Sequence, residues 1–222
     1  VSLSGVFKHF EINPTPVAGI THQRIQKAVV NRYCPAERTK LMGALEDQMK
    51  VYGAMLFGMG LRPGEAFGLM WSDLVEGNQF KITRQWTDGR LDETVKNYSA
   101  RTVLCPEWAL KIIKNHTTRF KGGYILVNKF GLPIRTRAHT YKLWRKAHEK
   151  AGVDYREAYL CRHTRAAEFL SQGKVSIGEA AYQMGHSPEM FLRVYTEFKV
   201  EFSGNSDLSH LEGLGLSNAA EW

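Results

Sequence analysis

Apolar positions recur every three to four residues along much of this chain, and that period predicts a mostly helical protein. Leu41, Leu45, Met49, Tyr52, Leu56 and Met59 form one long stripe, with Pro35 placed to open the helix and Gly58 and Gly60 to end it. Thr21 is placed to cap a short helix that runs to about Val30. EWALKIIKNH, after Pro106, has one apolar face. RTRAHTYKLWRKAHEKAG reads as a basic helix over 135–152 around a seam of Tyr141, Leu143 and Trp144. Three shorter helices are predicted over 159–170, 177–184 and 188–195, broken at Gly173 and Gly185.

Between these helices the period falls to two. FKITRQW alternates, and Asp88-Gly89 is a strong hairpin signal; a second reversal is expected around Asn97, Tyr98 and Ser99. GGYILV reads as a short buried strand or extended segment, followed by a turn at Gly131 and Pro133. Pro63 and Gly64 read as a turn, with Glu65 starting a short helix that carries Ala66, Leu69 and Met70. The fold class is therefore α+β, mostly helical, with a small three-stranded antiparallel sheet on one edge.

With 222 residues, 43% hydrophobic and 23% charged, the chain has the composition of an ordinary globular protein, long enough for one substantial core. No apolar run approaches the roughly 20 residues a membrane span needs, and the start, VSLSGVFKHFEINP, lacks the apolar region of a signal peptide. Cys34, Cys105 and Cys161 are scattered and odd in number, which points to reduced thiols and a cytoplasmic setting. The prolines and glycine of INPTPVAGI make 1–20 a linker, so a preceding domain is expected before it. The segment 21–200 is then the main domain and 201–222 a polar tail with a weak helical patch at LSHLEGLGL. A net charge of +8 favours a polyanionic partner, either nucleic acid or an anionic membrane surface.

The chemistry concentrates in YLCRHTRAAEFLSQGKVSIGEAAYQMGHSPEMFLRVY. Arg162 opens a helix, Gly185-His186-Ser187 interrupts the chain, and Tyr195 follows His186 by nine residues. A cation, an imidazole and a phenol are the parts needed to hold a phosphate and attack it. Arg62 sits on the GLRPGE turn, where a guanidinium can point into a cleft. Each residue also has a plainer alternative. Arg62 can pair with Glu65 or Asp73, and Arg162 with Glu168 or Glu157. His186 can cap a helix beside Ser187, Tyr195 can join a core with Phe191, Leu192, Val194 and Phe198, and Lys96 can be a solvated lysine on an exposed turn. The cations Arg135, Arg137, Lys142, Arg145 and Lys146 are either a solvated face or a face laid along phosphates.

Taken in order, GLRPGE, a hairpin lysine, RHT followed by GHS, and a tyrosine nine residues past that histidine resemble the tyrosine recombinase family, the phage-integrase type of site-specific DNA recombinases. The resemblance covers roughly 20–200. It implies that Arg62 and Arg162 are the paired catalytic arginines, Lys96 the hairpin lysine, His186 the second histidine and Tyr195 the nucleophile. Glu65 matches an acidic position that supports the first arginine. One position departs: Tyr159 stands three residues before Arg162, where the family usually has histidine. A phenol donates a hydrogen bond to a phosphate oxygen but is a poor base near neutral pH, since its pKa is about 10. His163, next to Arg162, is expected to pack or contact a helix.

The implied reaction is strand cleavage through a 3′-phosphotyrosyl bond with release of a 5′-hydroxyl, Lys96 acting as general acid. No cofactor is expected: the bond energy is kept in the phosphotyrosine, and the chain has neither a GxxxxGK[ST] loop nor a metal-ligand cluster. The implied partners are double-stranded DNA, three further copies of the chain on two recombination sites, and accessory bending or directionality factors. The implied setting is a phage or other mobile element. A type IB topoisomerase-like enzyme and a non-catalytic DNA-binding module of the same fold are the alternatives.

Overall fold

The computed structural model describes residues 32–92 and 100–195, together with residues 7, 9 and 10 near the N-terminus. The expected helix over 21–30, Lys96 with its hairpin tip, and the tail 201–222 lie outside the described residues.

The long apolar stripe is buried as expected, but by two helices instead of one. Helix α1 spans Pro35–Ala44 and α2 spans Asp47–Ala54, separated by extended backbone at Leu45 and Glu46. All six stripe residues stay buried across the break. A 3.6-residue period marks which face is buried, not whether the backbone is continuous. Pro35 starts α1, where its missing N–H costs nothing, and Glu37 reaches back to accept from the Cys34 backbone N–H at 2.9 Å. Helix α2 runs on into a π-helical turn over Met55–Met59, whose five residues are all buried, and ends at Gly60.

Helix α3 spans Pro63–Gly68, so Pro63 and Gly64 form its first turn instead of a separate bend before it. Arg62 is its N-cap residue, and its backbone N–H donates to Glu65 at 2.9 Å. Strand β1, Gln79–Ile82, pairs antiparallel with β4, Arg101–Leu104. Strand β2, Gln85–Thr87, pairs with β3, Arg90–Asp92, through the expected hairpin: Asp88 and Gly89 both have positive φ, +48° and +80°. Among the described residues the small sheet is thus two antiparallel pairs and not one three-stranded sheet. The alternating FKITRQW run is interrupted at Thr83 and Arg84, where α3 lies against its backbone. A Cβ on Gly64 would stand 2.4 Å from the Trp86 carbonyl oxygen, so only glycine allows this approach.

Helix α4, Glu107–Lys114, buries Ala109 and Ile113. Residues 122–127 form no strand: Gly122 and Gly123 have positive φ, isolated bridges join Tyr124 to Met70 and Val127 to Pro133, and Ile125 and Leu126 are buried. Helix α5 spans Ala138–Ala151, so Arg135 and Arg137 precede it. Its buried face is Thr140, Trp144, Ala147 and His148, spaced i, i+4, i+7, i+8. Tyr141 and Leu143, expected in the seam, are 47% and 54% exposed, because they fall to either side of that stripe.

Three helices complete the described chain: α6, Leu160–Gln172; α7, Ile177–Met184; and α8, Pro188–Tyr195. Gly173 and Gly185 end the first two in left-handed conformation. Ser176 caps α7, accepting from the Glu179 backbone N–H at 3.1 Å. Helix α6 packs on the π-helical turn, α7 on β4, and α8 on α6 and α7. Among the described residues no helix is long and apolar enough to cross a membrane.

Candidate active site

The site is built around the C-terminal end of α7. Helices end in carbonyls without intrahelical donors, and those carbonyls attract cations. Three consecutive carbonyls there each accept from a different arginine. Gln183 O takes Arg101 Nε at 3.3 Å, Met184 O takes Arg162 Nη2, and Gly185 O takes Arg62 Nη2 at 3.3 Å. Arg101 comes from β4, Arg162 from α6 and Arg62 from the start of α3. Gly185 has φ +61°, and a Cβ on it would meet Arg101 Cζ at 2.9 Å, so both the turn and the close approach require glycine.

Arg162 is fully buried, and its Nη1 also donates to Gly60 O at 2.6 Å, at the end of the π-helical turn. It therefore bridges two helix C-termini. Neither Glu168 nor Glu157 binds it: Glu168 pairs with Arg38 and Arg165, and Glu157 faces Arg137 at 3.8 Å. Arg62 does form the ion pair with Glu65, at 2.9 Å, while Asp73 takes Arg84 at 2.6 Å. The pairing does not withdraw Arg62 from the cleft, because its side chain remains 22% exposed.

Glu65 is fully buried and accepts four hydrogen bonds. Two come from the Arg62 backbone and guanidinium, at 2.9 Å each, and two from Arg101 Nη1 and Nη2, at 2.9 and 2.8 Å. The Arg101 contact is bidentate, the geometry that suits guanidinium and carboxylate planes best. Burial alone would raise the Glu65 pKa, but the charges of Arg101, Arg162 and Arg62 outweigh it and hold the carboxyl at about 2.

His186 is half-buried, with Nε2 3.2 Å from Arg162 Nη2. Arginine is the donor of that pair, so Nε2 accepts and the ring proton sits on Nδ1. Burial, with the charges of Arg162, Arg62 and Arg101, pushes the imidazole pKa down to about 3, against the opposing pull of Glu65. His186 is neutral at ordinary pH. Its backbone N–H also closes the α7 end, donating to Ala181 O at 2.9 Å.

Tyr159 is the N-cap residue of α6, half-buried, and its ring meets His163 edge-on at 5.1 Å. The His163 pKa is lowered to about 4 by burial and by Arg162 and Arg32, in keeping with a packed neutral ring. Tyr159 lines a cleft of about 190 Å3 together with Arg62, Trp86, Arg135 and Arg137. Arg135 lies over the Trp86 ring at 5.1 Å. Thus two of the five cations grouped by sequence border the same cleft as Arg62. The others lie along α5: Arg145 contacts Tyr141 and Glu149, and Lys146 borders a separate cavity of about 670 Å3 between the α1–α2 turn, 127–134 and α5. That larger cavity contains none of the residues that converge on α7. Tyr195 closes α8, and its side chain, like Lys96, lies outside what the structure describes.

Sequence reasoning passed over Arg101. The signal was present: in RTVL, Arg101 and Val103 share the inward face of an alternating strand, and a buried arginine needs fixed carboxylate or carbonyl partners.

The phage integrase family model matches residues 31–201, so the chain belongs to that family. The chain is 25% identical over 201 residues to a tyrosine recombinase XerC-like protein of Caldanaerobacter subterraneus subsp. tengcongensis, covering 77% of this chain and 51% of that one. The chain thus spans about half the length of this curated relative. Among solved structures it is similar to the Tn1549 transposon integrase in complex with circular intermediate DNA (TM-score 0.67, 17% identity, 96% of this chain and 76% of that one). It is also similar to XerA recombinase (0.63, 17%, 97% and 72%). The catalytic domain of bacteriophage HP1 integrase is a third match (0.57, 16%, 86% and 96%). At these identities the structural matches establish the fold: a mostly helical tyrosine-recombinase catalytic domain with small antiparallel sheets.

Proposed function

We propose that this chain is the catalytic part of a site-specific DNA recombinase of a phage or other mobile element, which cuts and rejoins strands through Tyr195. The supporting observation is the convergence of Arg62, Arg162 and His186 on the carbonyls that end α7, beside a cleft bordered by further arginines. A phosphodiester carries one negative charge, and its pentacoordinate transition state spreads more over the non-bridging oxygens. Guanidinium groups held rigidly beforehand stabilise that charge with little reorganisation.

In this reading the Tyr195 Oη attacks phosphorus and the bond from phosphorus to the 5′-oxygen breaks. The products are a 3′-phosphotyrosyl linkage and a 5′-hydroxyl. Lys96 gives its proton to the leaving oxygen, and the phenol proton of Tyr195 passes to a base or to water. His186, neutral, acts as a hydrogen-bonding group beside the phosphate and not as a third cation. Tyr159 donates a hydrogen bond where the family more often has an imidazole. Rejoining reverses these steps, so neither ATP nor metal takes part. Four copies on two DNA sites, assisted by bending or directionality factors, perform the exchange, with a preceding domain completing the grip on the duplex.

The test is covalent trapping on nicked duplexes of randomised sequence, without metal or ATP. A nick beside the cleavage point lets the short 5′-hydroxyl fragment diffuse away, so the protein–DNA adduct accumulates. The expected result is an adduct carrying a recurring sequence, absent in Tyr195→Phe, which still binds DNA. An adduct without sequence preference would favour a topoisomerase-like enzyme. DNA binding with no adduct, repeated with the longer protein, would favour a binding module.

A further inference from the structure

Arg101 is the third arginine on the α7 terminus and differs from the other two in its partners: its guanidinium grips both Glu65 oxygens. Its side chain is 4% exposed, against 22% for Arg62, and Arg162 is buried as well, so bonding and not burial sets Arg101 apart. Its three donor nitrogens are spent internally. Nη1 and Nη2 hold the two Glu65 oxygens, and Nε holds Gln183 O. Through Glu65 it fixes the backbone and guanidinium of Arg62. Through Gln183 O, and by filling the space beside Gly185, it fixes the turn that presents His186. The same helix end is tied to β4 twice more. The Gln183 side-chain amide exchanges both hydrogen bonds with the Leu104 backbone, at 3.0 and 2.8 Å, and Tyr182 Oη accepts from Thr102 N at 3.1 Å.

We propose that Arg101 is a positioning residue for phosphoryl transfer: it never touches the DNA, and it sets the geometry of Arg62 and His186 through Glu65 and the Gln183 carbonyl. The inference rests on reading the site as a DNA-cleaving centre. Lysine at this position keeps the charge but cannot span both Glu65 oxygens and Gln183 O at once, since an ammonium is a point donor without the fork geometry. Glu65, which holds Arg62, then loses part of its own anchorage. A misplacement of the order of 1 Å at a reacting group costs about 100-fold in rate.

The experiment compares the whole protein with Arg101→Lys and Lys96→Ala on nicked duplexes, measuring adduct rate, DNA affinity and thermal melting. Each is run on an ordinary substrate and on one whose leaving 5′-oxygen is replaced by sulfur. A thiolate leaves without a general acid, so the sulfur substrate removes any need for Lys96. The expected result for Arg101→Lys is cooperative melting, unchanged DNA affinity, and adduct formation slowed about 100-fold on both substrates, whereas Lys96→Ala recovers on sulfur. Three results would overturn the proposal: wild-type rates in Arg101→Lys, recovery of Arg101→Lys on sulfur, or loss of its cooperative melting. The first removes the role, the second moves it to the acid, and the third makes Arg101 a residue of the fold alone. No adduct from the unaltered protein on either substrate would bring down the DNA-cleaving reading, and this inference with it.

Discussion

The end of α7 and the outer face of α5 both gather arginines, and they use them in opposite ways. At α7, Arg62, Arg101 and Arg162 come from three separate elements, are mostly buried, and spend their donors on named carbonyls and on Glu65. On and before α5, Arg137 and Arg145 are 68% and 57% exposed, with carboxylate contacts of 3.8 and 3.5 Å at the surface. Burial fixes a guanidinium in one orientation, as a reaction requires. Exposure leaves it free to follow a phosphate backbone, as non-specific attraction requires. Equal charge therefore does different work, and the local dielectric and the number of bonds held decide which.

The largest expected break in that contrast is Glu65→Ala. It strands Arg101 in the interior with no carboxylate, which costs on the order of 3–5 kcal/mol. Chemical denaturation should show a lower midpoint at unchanged slope. Next is Gly64→Ala, whose Cβ would collide with the Trp86 carbonyl at 2.4 Å. The helix or the hairpin must shift, at about 1–3 kcal/mol, and the loss should appear in thermal melting. Acid gives a milder, graded effect. The His186 and His163 pKa values are lowered on folding, to about 3 and about 4, so the unfolded chain binds more protons below pH 6.5. Their contribution to stability should decline as pH falls from 6.5 toward those values. Glu65, held at about 2, adds its own loss once pH drops below 4.5. Melting temperature followed from pH 8 to pH 3 tests the sign, and a His186→Gln variant should flatten the upper part of the curve.

The smallest effect is expected on α5. Lys142→Ala or Arg145→Ala should change stability by less than about 0.5 kcal/mol. Under the proposed function each should weaken DNA binding alike across sequences and lower the salt dependence by roughly one unit in slope. A change in sequence preference instead would mean that the residue reads bases.

Much of the backbone was legible beforehand because its signals are local. Gly173 and Gly185 end helices where a left-handed residue is needed, and Asp88-Gly89 makes a two-residue hairpin turn. The misreadings share a cause as well. FKITRQW is interrupted at Arg84, where α3 presses on the backbone, and the apolar stripe breaks at extended backbone between α1 and α2; periodicity reports neither. The α5 seam was misplaced because Tyr141 and Leu143 are apolar enough to be buried, yet they flank the buried stripe on opposite sides and stay about half exposed among the described residues.

What the sequence determined by itself was the class of fold, the helix and turn boundaries set by glycine and proline, and the residue types available for phosphate chemistry. What only the tertiary structure decided was which of those residues meet. Glu65 and Arg101 are 36 positions apart, Arg101 and Gln183 82, Gly60 and Arg162 102, and Arg62 and Gly185 123. A local pattern carries the conformational preference of a few neighbouring peptide units, whereas a buried charge is stabilised only by partners that packing brings from elsewhere. For that reason Arg162 could be singled out as a candidate in advance, and its meeting with Arg101 at the end of α7 could not.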